Sequence, residues 1–248
     1  MGFFDFLKLQ GEDACAGRTE PRPEGTQAST GTVTALLEVP KPARGQAWTR
    51  QFMAHVADAA FFSGNPNLLM GADRLPFFAL HSGQGDQPFP SHVIHHMQED
   101  FLLDQGLGVV INPHGQEADW AFTYGDILNF NLYGVFYPAT DEAPGGSLAA
   151  GNQTRGLSPQ ARLPQPARKA MRAFLQQLGV AAPGMRFAAW DHAGPGSLEL
   201  VYKFSPQEFN RPEDFQFAMS HLCWFLPRNY SYSVAGNLAT QQGDFQPL

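Results

Sequence analysis

The chain has 248 residues, 43% of them hydrophobic, with 21 Phe and 4 Trp, which is enough apolar material for a sizeable core and argues against a disordered polypeptide. No apolar run reaches the roughly 18 residues that a membrane-spanning helix requires. The net charge of −7 argues against a nucleic-acid partner.

The charge is unevenly spread. Residues 1–137 hold 7 basic and 15 acidic side chains, whereas residues 168–248 hold 7 and 6. From Leu75 to Thr154 there is no Lys or Arg, yet that stretch carries nine carboxylates and five of the eight histidines. Such a face suits a basic protein partner or a cation. It also fits a plain solvated surface, and both readings stay open here.

In chain order, MGFFDFLK lacks the basic region and sustained apolar run of a secretory signal, and Phe6 stands where a myristoylation pattern needs Ser or Thr. It reads as an amphipathic first turn that packs on the body, with a membrane-surface or partner-docking tip as the alternative. Gly11–Gly31 is rich in Gly, Pro, Glu, Thr and Ser, so residues 1–31 are expected to be a flexible leader. Cys15 falls in this leader and Cys223 inside an apolar helix, where burial is expected; they make unlike disulfide partners, which favours a reducing, cytoplasmic setting. Val33, Ala35, Leu37 and Val39 alternate and predict a strand over Thr32–Val39. Trp48, Phe52, Val56 and Ala59 share one stripe and predict a helix over Trp48–Phe62, stopped by Gly64 and Pro66. Leu75–His81 follows as a strand.

Ser91–Gln105 reads as a helix with Ser91 as its N-cap and Gly106 as its left-handed stop. At about 100° per residue, Val93, Ile94, Met97 and Phe101 share one side, with His92, His95, His96 and Glu99 opposite. Leu107–Asn112 and Trp120–Thr123 read as strands. Thr123-x-x-Asp126 fits a capping box for a short helix closed by Gly134, and Val135–Tyr137 reads as a further short strand. Residues 138–165 are rich in Ala, Gly, Pro and Gln and read as a linker or mobile loop. Beyond it come a helix over Pro166–Leu178, strands over Met185–Asp191 and Ser197–Phe204, a helix from Pro212 with a stripe of Phe215, Met219, Leu222 and Leu226, and a strand over Tyr230–Val234.

The expected fold class is therefore α+β: two similar small modules, 32–137 and 166–248, each a short mixed sheet with two or more packed helices. The element order, with LPFFAL, GLGVVINP and the apolar strand that ends in Ile111-Asn112-Pro113, resembles the SseB-like (enhanced serine sensitivity) family. The second half, with PARKAMRAFLQQLG, MRFAAWD and SLELVYKFS, is similar to the C-terminal domain of that family. The resemblance implies a fold and no reaction.

Three constellations bear on chemistry. His92 and His96 at i, i+4 with Glu99 one turn on have the spacing to chelate one divalent metal such as zinc, which would suit a metal-dependent hydrolase. The same side chains read first as a wet polar face, and a pH-sensitive contact is a further reading. No G-x-S-x-G elbow surrounds Ser82 or Ser91, and Cys223 with His221 or Asp191 with His192 reads as structural. The dense aromatics Trp120, Phe122, Tyr124, Phe130, Tyr133, Phe136 and Tyr137 read mainly as core, with some available to line a groove. The leading expectation is a non-enzymatic binding or adaptor protein without a cofactor. Its surface would be acidic and aromatic-edged, formed by Glu99, Asp100, Asp104, Trp120 and Tyr124, and offered to a protein partner.

Overall fold

The computed structural model describes residues 24–83, 91–114, 117–137, 162–189, 198–235 and 245–248. Most of the expected leader and linker, the Asp191-His192 turn and Cys15 lie outside these residues. The chain forms an α+β fold with two sheets, and it divides into two compact units between Ile127 and Leu128.

The first unit begins with helices α1 (Glu24–Leu37) and α2 (Gln46–His55), followed by strands β1 (Ala60–Met70), β2 (Pro76–Ser82) and β3 (His92–Val93). Helix α3 starts at Ile94–Met97, passes through a π-helical turn at Gln98–Leu102 and ends at Leu103–Gln105. Strands β4 (Gly108–His114) and β5 (Glu117–Phe122) complete a five-stranded sheet of order β3-β1-β2-β4-β5. Only β2 and β4 pair in parallel, because α3 carries the chain across between them. Register sets His92, Phe61, Phe78, Leu80, Val109, Ile111, Trp120 and Phe122 on one side of the sheet. The helices cover that side: Phe52 of α2 lies 5.2 Å from the Trp120 ring, and Phe101 of α3 lies 5.2 Å from Phe78, edge-on.

Helix α4 (Tyr124–Tyr133) follows, and the division between the units falls within it. Its capping box forms as the spacing requires: Asp126 Oδ2 accepts the Thr123 N–H at 2.9 Å, and the Asp126 N–H donates to Thr123 Oγ1 at 3.1 Å. Gly106 and Gly134 sit at φ 70° and 72° and end their helices in the left-handed conformation.

The second unit contains α5 (Gln165–Gln177), β6 (Gly184–Ala189), β7 (Leu198–Lys203), α6 (Pro212–His221, continued by a 3-10 turn at Leu222–Phe225), β8 (Ser231–Val234) and β9 (Gln246–Pro247). The sheet order is β8-β7-β6-β9. Met171 and Phe174 of α5 meet Tyr202 and Phe225: the Tyr202 hydroxyl donates to Met171 Sδ at 3.1 Å, and the two Phe rings are 5.0 Å apart. At the start of α6, Asp214 accepts two hydrogen bonds from Arg211, and the nearby guanidinium holds its carboxyl below the usual range. The two units repeat one order. A helix leads into an antiparallel hairpin (β1–β2, β6–β7), then a crossover helix (α3, α6), then a strand parallel to the second hairpin strand (β4, β8). Each contains an αββαβ core, to which the first unit adds α1, β3 and β5 and the second adds β9.

Five local expectations are corrected. Thr32–Val39 is not a strand: Thr32–Leu37 closes α1, which begins at Glu24, within the expected leader, and Glu38 and Val39 form the turn after it. Its inner face is Thr26, Ser29, Val33 and Leu37, so small polar residues occupy half of a helical stripe. The Ser29 hydroxyl lies 3.4 Å from His55 Nδ1 of α2, and beside it Thr30 Oγ1 donates to Thr26 O at 2.6 Å and accepts the Ala60 N–H at 2.9 Å. The helix at Trp48 stops at His55, and Phe61 and Phe62 enter β1, where pairing with β2 overrides local helix preference. Pro66 is accommodated in that strand by a register shift between Ser63 and Leu68. Ser91 caps no helix, since His92–Val93 pairs with Ala60 and Phe61 and the helix starts at Ile94 without a side-chain cap. Val135–Tyr137 forms no strand; the Asn129 side chain holds the Val135 carbonyl at 2.7 Å, and Phe136 stacks on Phe130. Cys223 is exposed, because the tightened turn after α6 rotates it outward between buried Leu222 and Trp224.

Candidate functional site

Helix α3 is amphipathic along its whole length. Ile94, Met97, Gln98, Phe101, Leu102 and Leu103 are buried, while His95, His96, Glu99, Asp100 and Asp104 are exposed. Asp100 and Asp104 are four residues apart and so fall on one face, with the three buried residues between them turned away from it. Within the helix a π-helical turn forms, in which the Leu103 N–H reaches Gln98 O. The helix is pinned at its start: the His95 N–H donates to Ala57 O at 3.0 Å, and the His95 ring contacts Asp58 Oδ1 at 3.1 Å. At its end, the Leu107 N–H returns to Leu102 O at 3.0 Å. The exposed carboxylates therefore ride on a fixed element.

The remaining described carboxylates of the base-free stretch are committed to structure. Lys41 pairs with Glu117 at 2.7 Å, on the surface, and holds that carboxyl below its usual range. Asp126 is used in its cap. Asp119 is bound by Arg44, whose guanidinium donates to Asp119 Oδ1 at 2.7 Å, Asp119 O at 3.1 Å, Leu37 O at 2.9 Å and Val39 O at 2.8 Å. The same group lies over the Trp48 ring, 4.9 Å from its centroid. Asp119 Oδ2 accepts from Asn112, which in turn bonds the Ser82 hydroxyl and N–H. Asn112 has φ 47°, a left-handed conformation that Asn tolerates better than most residues. The Asn-Pro step within β4 thus anchors a polar chain from Ser82 to Arg44. Sequence reasoning missed this chain: Arg44 is 75 residues from Asp119, and only the Asn-Pro signal was visible.

The expected binding residues separate into two groups. Glu99, Asp100 and Asp104 share the exposed face of α3. Trp120 is half-buried, its ring 5.6 Å from Trp48 and 5.2 Å from Phe52. Tyr124 is 0% exposed, and its hydroxyl donates to Leu103 O at 3.1 Å. Burial, and secondarily the charge of Asp104, push its hydroxyl pKa upward. The surface is therefore edged by imidazoles and not by Tyr124.

The expected helical chelate of His92, His96 and Glu99 is also corrected. His92 lies in β3 and is 6% exposed, with its ring edge-on to Phe78 at 5.7 Å, while His96 and Glu99 face outward on α3. The i, i+4 spacing runs across a strand–helix junction, so no shared helical face forms. Among the described residues, no group of three or more His, Cys, Asp or Glu side chains is placed to hold a metal ion.

Burial in apolar surroundings lowers the His92 pKa. The folded state then binds fewer protons than the unfolded chain between the depressed value and the ordinary value of about 6.5, so His92 makes stability fall as pH drops below that value. Replacing His92 with Leu is expected to reduce the loss of stability between pH 7.5 and 5.5, read as the difference in urea midpoint at the two pH values. An equal loss in both proteins would contradict the assignment. His81, stacked on Phe62, is lowered in the same direction by burial and by His114, and it remains in both proteins.

The fold and this surface define an α+β protein of two modules, each with an αββαβ core. Comparison with family models, curated proteins and solved structures yields no significant match.

Proposed function

We propose that the chain is a non-enzymatic binding or adaptor protein of the cytoplasm that offers the outer face of α3 to a basic segment of another protein. One observation carries this reading: Glu99, Asp100 and Asp104 are exposed together on a helix anchored at both ends, inside a stretch without Lys or Arg. The other described carboxylates of that stretch, Glu117, Asp119 and Asp126, are used in an ion pair with Lys41, an ion pair with Arg44 and a helix cap. A single-sign patch on a fixed element speeds encounter with an oppositely charged partner and fixes its orientation. No helix among the described residues is long and apolar enough to cross a membrane, which fits a partner met in solution. The repeated module and the role of Asn112 in the Asn-Pro step support reading the chain as SseB-like.

The test is affinity enrichment from cells with wild type and with the triple variant Glu99→Lys, Asp100→Lys, Asp104→Lys. Basic proteins should enrich on wild type and be lost from the variant, while the circular dichroism of the two stays the same. Equal enrichment on both would refute the proposal.

A further inference from the structure

We draw no further inference here: the strongest candidate, the half-exposed apolar side of the first sheet around Leu69 and Val110, opposite the side that the helices cover, carries nothing because the structure does not show what covers it.

Discussion

Replacing Arg44 with Met is expected to destabilise the first unit by about 3–5 kcal/mol, the range for removing one partner of a buried ion pair. Arg44 and Asp119 have side chains only 9% and 14% exposed, so the carboxylate left behind cannot recover full hydration. Three backbone carbonyls, of Leu37, Val39 and Asp119, lose their donor at the same time. The Asp119 carbonyl belongs to the sheet's edge strand, so the guanidinium also blocks the edge against pairing with another chain. Lys has one charged centre and no planar fork, so Arg44→Lys should recover only part of the loss. Trp48 and Trp120 sit in this region and report its unfolding by fluorescence. With m about 1–3 kcal/mol/M, the urea midpoint should fall by more than about 1 M. A shift within error, or full rescue by Lys, would show that the network is peripheral.

Phe78→Ala should cost a similar amount, about 3–5 kcal/mol, by the cavity it leaves. Phe78 is fully buried on the helix-covered side of the sheet and touches both Phe101 of α3 and His92 of β3. The smaller truncation Phe78→Leu, which leaves a branched apolar side chain in place, should cost less than Phe78→Ala. The two variants should also differ in amide exchange. In the Ala variant, α3 amides should lose protection before those of α5, which lies in the other unit. Uniform loss across both units would contradict a local role for this ring.

Much of the fold was legible in the sequence wherever one physical signal acted alone. The α5 stripe, the Thr123–Asp126 cap, the apolar start of β4 and the stops at Gly106, Gly134 and Gly179 all depend on neighbours within a few residues, whereas β4 continues past Asn112-Pro113 to His114 because it pairs with β5. The failures share a different cause. The inner face of α1 is built partly from Thr and Ser, so hydrophobic period could not reveal it. Strand β1 contains Pro66, which local rules read as a stop, and only pairing with β2 makes it a strand. His92 has the spacing of a helical residue, but the two-residue strand that claims it exists only because β1 lies beside it. The outer carboxylates of α3 were found by charge counting. Which carboxylates are structurally committed was not, since Lys41 and Arg44 reach them from 75 or more residues away.

The outer face of α3 is proposed as a docking surface for positive charge. The most direct measurement is the fluorescence-anisotropy titration of a labelled lysine-rich peptide with wild type and with the triple Lys variant, at low and moderate salt. Three reversed charges, at roughly 1 kcal/mol each, should weaken binding by about a hundredfold. The wild-type affinity should fall as salt rises, and that salt dependence should disappear in the variant. Equal affinities and equal salt dependence in the two proteins would mean that the carboxylates of α3 only keep the surface hydrated.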